Sequence, residues 1–194
     1  MATIGIVAFP DAEELDFVGP WEVLAAAAAL GGTDRVLLLG ETLAPVRCAK
    51  GLTVVADTRW ADCPPLDVIL VPGGDGRRAQ MHNPAMRELL ARVAPGCRWV
   101  TSVCTGSFVL VAAGLATGRR VTTHWSRLDE LRGHPVTVVD DARWVVDGNV
   151  VTAAGVSAGI DMALWLVGQL HTPAFAREVQ RYIQYDPAPP YGAG

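Results

Sequence analysis

Short apolar runs recur along the chain and predict the strands of a central sheet. The most continuous of these runs cover residues 3–9, 35–40, 66–71, 99–103 and 150–153. Runs that are apolar at nearly every position are typical of strands buried on both faces of a parallel sheet. Weaker runs predict further strands at 46, 52–55, 120–123, 136–139 and 143–146. The Asp147-Gly148 pair favours a hairpin between the strands at 143–146 and 150–153.

Helical segments fill most of the intervals between these strands. They are predicted over residues 17–30, 84–93, 108–115, 125–131, 156–171 and 174–183. The first helix is expected to hold Pro20 in its first turn and to end at Gly31-Gly32, since proline suits helix starts and glycine suits helix ends. Alternating strands and helices predict an α/β fold, a doubly wound sandwich with a mainly parallel central sheet, and we expect a single domain over residues 1–194.

Composition narrows the possible functions without identifying one. The 194 residues are 51% hydrophobic and carry a net charge of -4, which gives no electrostatic footprint for nucleic acid or an anionic membrane. The N-terminus lacks the basic region of a signal peptide, and no apolar run approaches the length of a membrane span. The four cysteines form no CxxC pair, so we expect free thiols and a cytoplasmic location.

Cys104 stands where a buried strand meets a helix, between the run at 99–103 and the apolar helix at 108–115. Such a strand–turn–helix junction resembles a nucleophile elbow, with sulfur in place of a hydroxyl. The N–H groups and the positive end of the helix dipole would then favour the thiolate form of Cys104, which is the nucleophile. The alternative is that Cys104 is a small buried apolar residue, as many free cysteines are.

Several further residues with possible chemistry follow predicted strands. Sites in parallel sheets form at the carboxyl ends of strands, so Asp16, Gly73-Gly74, His124 and Ala154-Gly155 can converge on Cys104. Asp16 would be a general acid and base whose pKa is raised by burial beside a thiolate, or else a helix cap.

The remaining candidates each carry a structural alternative. The N–H groups of Gly73, Gly74 and Thr105 would face the sulfur and bind developing negative charge, or the glycines would only form a turn. Thr105 would otherwise cap a helix, and His124 is either a partner of Cys104 or a capping residue. Trp21 and Trp125 would line an apolar pocket or pack in the core.

Six motifs together resemble the ThiJ/PfpI superfamily. They are DFVGPWEVL at 16–24, VPGG at 71–74, SVCTGS at 102–107, AGLATGR at 113–119, TTHW at 122–125 and AGVSAGID at 154–161. The resemblance spans nearly the whole chain in the expected order. It implies a flavodoxin-like fold, a reactive cysteine on a nucleophile elbow and a homodimer.

Two positions are similar to the isonitrile hydratase branch of that superfamily. Thr105 follows Cys104 where other branches have histidine, and Asp16 stands where others have glutamate. The resemblance implies hydration of an isonitrile to an N-substituted formamide, with Cys104 as nucleophile, Asp16 as acid and base, and Thr105 orienting water. It implies no metal or organic cofactor and a small-molecule substrate in a pocket near Trp21, His124, Trp125, Ala154, Gly155 and Val156. The alternatives are a redox-responsive or ligand-sensing cysteine protein and a glyoxalase-like enzyme.

Overall fold

The protein is built around a seven-stranded, mostly parallel sheet, seen here in a computed structural model that describes residues 1–31 and 34–191. The strands of this sheet are β1 (Thr3–Val7), β2 (Arg35–Gly40), β5 (Thr58–Arg59), β6 (Val68–Val71), β7 (Trp99–Val103), β10 (Trp144–Asp147) and β11 (Val150–Ala153). Their order across the sheet is β10-β11-β7-β6-β1-β2-β5, and only β10 runs antiparallel to its neighbour. The predicted strands at 3–9, 35–40, 66–71, 99–103 and 150–153 all belong to it, in some cases with shorter bounds.

Helices cover this sheet in two groups. They are α1 (Glu14–Gly31), α2 (Arg77–His82), α3 (Pro84–Val93), α4 (Gly106–Ala112), α5 (Leu128–Arg132), α6 (Ala158–Leu170) and α7 (Pro173–Tyr182). Helices α1, α6 and α7 pack on one another, and α2 packs on both α3 and α4. Strand β6 is buried at every position, as expected when both faces of a parallel sheet are covered. The architecture is the flavodoxin-like α/β sandwich that the sequence predicts.

Two small sheets lie outside the central one. Strands β3 (Val46–Arg47) and β4 (Thr53–Val54) form an antiparallel pair, while β8 (Arg120–Val121) and β9 (Thr137–Val138) pair in parallel. A short 3-10 turn, Trp125–Arg127, precedes α5 where one helix over 125–131 was expected. In the part of the chain that the structure describes, no helix has the length and hydropathy needed to cross a membrane.

The start of α1 differs from the prediction. The helix begins at Glu14, so Asp16 lies inside its first turn and Pro20 lies in its interior. Pro20 removes the N–H that would bond to the carbonyl of Asp16, and the helix continues because its neighbours Phe17 and Gly19 are buried. Of the predicted end at Gly31-Gly32, Gly31 is the last residue of the helix and Gly32 lies outside the described residues.

Candidate active site around Cys104

The strand–turn–helix junction at Cys104 has the geometry of a nucleophile elbow. Strand β7 ends at Val103 and α4 begins at Gly106, with Cys104 between them at a φ of 55°. This left-handed conformation is rare for a residue that has a side chain and is typical of functional turns. Gly106 is needed because a Cβ there would lie 2.2 Å from the carbonyl oxygen of Val71.

The backbone of Cys104 is hydrogen-bonded on both sides. Its N–H donates to the carbonyl oxygens of Ala153 and Ala154, at 3.1 and 2.8 Å. Its carbonyl oxygen accepts from the hydroxyls of Thr123, at 2.9 Å, and Ser107, at 3.3 Å. The turn is therefore held by two segments that are far from it in the sequence, around Ala153 and Thr123, and by the nearby hydroxyl of Ser107.

Asp16 is fully buried next to this turn. One carboxylate oxygen, Oδ2, accepts from the N–H of Gly73 at 2.8 Å, and the carboxyl lies close enough to Cys104 for each group to affect the pKa of the other. The other oxygen, Oδ1, is buried without a hydrogen-bond partner among the described residues. Asp16 is not a helix cap, because it lies inside α1 and its carboxylate bonds to a loop 57 residues away.

Burial dominates the proton affinities of both groups. Burial raises the pKa of Asp16 to about 8. The N–H of Gly73 lowers this pKa, and the charge of Glu13 raises it further. This agrees with the expected direction for Asp16. Burial, followed by the charge on Asp16, raises the pKa of Cys104 to about 12. The expectation that the helix start makes Cys104 a resting thiolate is therefore wrong, because the N–H groups of Thr105 and Val156 only partly offset the loss of solvent.

The glycine loop supports the site in a different way from the one predicted. The N–H of Gly73 is taken by Asp16, and the N–H of Gly74 donates to Oγ1 of Thr105 at 3.0 Å. The backbone N–H groups that lower the pKa of Cys104 are instead those of Thr105 and Val156. A Cβ at Gly73 would lie 2.5 Å from Thr105, and Gly74 has a φ of 105°, so the loop requires glycine at both positions.

Two cavities open beside Cys104. One has a volume of about 280 Å³, and Cys104, Thr105 and Val156 line it together with charged side chains that include Glu13 and Lys50. The other has a volume of about 390 Å³ and is more apolar. Its lining includes five of the predicted pocket residues, which are His124, Trp125, Ala154, Gly155 and Val156.

The two tryptophans behave differently. Trp21 lines neither cavity and packs against the core, which is the alternative that its sequence position left open. Trp125 is 76% exposed, so it is not a core residue and instead forms part of the wall of the larger cavity.

His124 lies between the two cavities and has a fixed ring orientation. Its Nδ1 accepts from the N–H of Ser126 at 3.3 Å, so the proton of the neutral ring lies on Nε2. Burial and the charge of Arg127 lower its pKa, which favours the neutral ring. The ring caps the 3-10 turn Trp125–Arg127, as the structural alternative predicted, and it also lines both cavities.

Sequence reasoning missed several residues that support the site. Thr123 and Ser107 bond to the carbonyl of Cys104, and Glu13 pairs with Lys50 at the smaller cavity. Ser107 and Thr123 lie inside the motifs at 102–107 and 122–125, and this was the available signal for both residues. Within residues 1–31 and 34–191, no three His, Cys, Asp or Glu side chains are grouped as they would be around a metal ion.

Comparison with known proteins gives a consistent result. Residues 2–169 match the model of the DJ-1/PfpI family. The chain is 43% identical over 191 residues to an isonitrile hydratase of Pseudomonas putida, covering 98% of this chain and 82% of that protein. It is 32% identical over 165 residues to the glutathione-independent glyoxalase DJR-1.2 of Caenorhabditis elegans, which covers 84% of this chain and 85% of that protein. The crystal structure of a ThiJ/PfpI family protein from Pseudomonas syringae has a TM-score of 0.92 and 35% identity, covering all of this chain and 78% of that one.

Proposed function

Because the chain belongs to the DJ-1/PfpI family, we propose that it hydrates isonitriles to N-substituted formamides with Cys104 as the nucleophile. The observation that carries the proposal is the buried pair of Asp16 and Cys104, with Thr105 following the cysteine. The similarity to an isonitrile hydratase over nearly the whole chain supports the choice of substrate class.

The first step starts from the pair in which Asp16 is ionised and Cys104 is a thiol, which has one proton fewer than the resting pair. Asp16 takes the thiol proton while Sγ of Cys104 forms a bond to the terminal carbon of R–N≡C. The same carbon then takes that proton from Asp16, which gives a covalent thioimidate, R–N=CH–S–Cys104. The raised pKa of Asp16, about 8, suits this role because a group that accepts and then donates a proton works best near the ambient pH.

The second step releases the product with water. Asp16, ionised again, takes a proton from a water molecule whose oxygen adds to the carbon of the thioimidate, and Asp16 passes that proton to the nitrogen, which gives R–NH–CH(OH)–S–Cys104. The C–S bond then breaks as the hydroxyl of this adduct loses its proton to the sulfur, which leaves R–NH–CHO and restores the Cys104 thiol. The hydroxyl of Thr105 would orient that water, a role supported by its position in the lining of the same cavity as the sulfur.

The two cavities suggest how the substrate lies. The carbon of the isonitrile would enter the cavity that Cys104 lines, and its substituent R would extend past His124 and Val156 into the more apolar cavity. Trp125 and Leu15 at that cavity offer apolar surface to an alkyl or aryl group.

The test is a panel of alkyl and aryl isonitriles, with formamide measured by mass spectrometry. The wild-type protein should form the N-substituted formamide, and the Cys104→Ala variant should form none above the uncatalysed rate. Cys63→Ala is the matched control, because Cys63 is also buried but lines neither cavity, and it should retain wild-type turnover. Folded wild-type protein that produces no formamide from any substrate would contradict the proposal.

A glyoxalase-like activity is the second candidate, because the relative from Caenorhabditis elegans is a glyoxalase. Loss of methylglyoxal, followed in parallel with the isonitrile panel, distinguishes glyoxalase activity from isonitrile hydration.

A redox-sensing role is less well supported, since peroxide reacts with thiolate and burial raises the pKa of Cys104. Mass spectrometry after mild peroxide tests it, and a stably oxidised Cys104 in a protein without turnover would favour the sensor.

We also propose that two copies of the chain associate. Leu15 and Val18 on α1, the helix that carries Asp16, are 39% and 38% exposed, and Trp125 lies exposed beside the same cavity as Leu15. An apolar surface of this kind, next to a site, is typical of an interface. Sedimentation velocity should give a mass of two chains, and Val18→Glu should shift the protein towards a single chain.

A further inference from the structure

The conformation of Cys104 requires a source of restraint. Its φ of 55° places a residue with a side chain in the left-handed region, which is unfavourable for such a residue and persists only where surrounding contacts hold it there. The N–H side of the residue is held by β11, through the carbonyls of Ala153 and Ala154. Those bonds do not restrain the peptide plane between Cys104 and Thr105, which contains the carbonyl of Cys104.

Thr123 supplies the restraint on that carbonyl. Its hydroxyl donates at 2.9 Å to the carbonyl oxygen of Cys104, and it is the shorter of the two side-chain bonds there, the other being from Ser107 at 3.3 Å. Thr123 is 1% exposed, so no solvent competes for the bond. Its segment is anchored in turn, because the N–H of Thr122 donates to Oγ1 of Thr152 on β11 at 2.8 Å.

We propose that Thr123 is a positioning residue that holds Cys104 in its reactive conformation. It acts through the backbone of the cysteine and does not line the cavity that contains Cys104, although it forms part of the wall of the larger cavity. Strand β11 and Thr123 together fix both sides of the Cys104 backbone, and this holds the sulfur close to the N–H groups of Thr105 and Val156. The proposal concerns the thiol itself and does not depend on which substrate the enzyme uses.

The test measures the reactivity of Cys104 rather than only turnover. Thr123→Val, which keeps the shape of the side chain but removes the hydroxyl, should slow alkylation of Cys104 by iodoacetamide by about tenfold at pH 8, as expected for a shift of one unit in the pH profile. The profile should move to higher pH, since a misdirected sulfur loses N–H donors that favour its charged form. Thr123→Ser, which retains the hydroxyl, should restore the wild-type rate and profile. If isonitriles are substrates, kcat should fall in Thr123→Val and recover in Thr123→Ser.

Thr122→Val is a matched control for loss of a buried hydroxyl. Thr122 is as buried as Thr123, but its hydroxyl has no hydrogen-bond partner among the described residues. It should alkylate at the wild-type rate, with the modified peptide identified by mass spectrometry. A wild-type rate and profile in Thr123→Val, or equal losses in both valine variants, would overturn the proposal.

A second variant decides the matter if Thr123→Val does not fold. Ser107→Ala removes the longer of the two bonds to the same carbonyl and leaves Thr123 in place. It should slow alkylation of Cys104 by about two- to threefold, and the pH profile of alkylation should again move to higher pH. An unchanged rate in a folded Ser107→Ala protein would then count against restraint of the Cys104 carbonyl by hydroxyl groups.

Discussion

Replacing Asp16 by asparagine is expected to change how the stability of the protein depends on pH. Burial raises the pKa of this carboxyl from its ordinary value of 3.8 to about 8. Between these two values the folded protein holds a proton on Asp16 that the unfolded chain has released. Stability from this group is therefore fully present below pH 3.8 and is lost as the pH rises towards 8. Asparagine has the shape of the protonated side chain and does not titrate, so the variant escapes this loss.

The magnitude follows from the width of that range. Each pH unit in which the two states differ by one proton changes the free energy of unfolding by about 1.4 kcal/mol. From pH 5 to pH 8 the stability of Asp16→Asn should therefore rise relative to wild type by roughly 4 kcal/mol. The thiol of Cys104 does not interfere, because its pKa is raised to about 12 and it titrates above this range.

Urea unfolding at four pH values between 5 and 8, followed by tryptophan fluorescence, measures this difference. Glu22→Gln is the control, since Glu22 is an exposed carboxyl on the same helix, and it should follow the wild-type pH dependence. A difference in the free energy of unfolding between Asp16→Asn and wild type that does not change with pH would refute the reasoning. The variant should also lose isonitrile turnover, so greater stability would accompany loss of function.

Three further outcomes are expected. Asn83→Ala should lower the free energy of unfolding by about 1 kcal/mol in urea titrations, because the Asn83 side chain accepts from the N–H of Ala85 at the start of α3; no change would contradict this capping role. Gly106→Ala should lower the melting temperature sharply, because its Cβ would meet the Val71 carbonyl oxygen at 2.2 Å, and a wild-type melting temperature would show that the turn is not tightly packed there. His124→Ala should reduce kcat/KM for isonitriles by less than tenfold, since the ring lines the cavities while Asp16 carries the proton; complete loss would make His124 a proton carrier.

The sequence predicts the sheet well because its central strands are apolar on both faces. The runs that end at Val71, Val103 and Ala153 need no tertiary information, and the helices between them follow from length and periodicity. Strand β5 and helix α2 were not predicted, because two and six residues are too few to show a period.

The site is predicted less completely, for a physical reason. Motifs identify Cys104 and Asp16, but hydrogen bonding at the site depends on which donors are already used. The N–H of Gly73 is consumed by Asp16, a contact that no local pattern encodes. The raised pKa of Cys104 likewise reflects burial by distant segments and outweighs the local effect of the helix start.

The contacts that define the site join residues far apart along the chain. Asp16 reaches Gly73, Cys104 reaches Ala154, and no two consecutive elements contain the whole arrangement. Such pairings form late in folding, because closing long loops must precede the contacts that reward it. A partly folded chain with its local helices in place would therefore have an ordinary solvated thiol at Cys104. During refolding, alkylation of Cys104 should slow only when β11 joins β7, so the rate of labelling measures completion of the sheet.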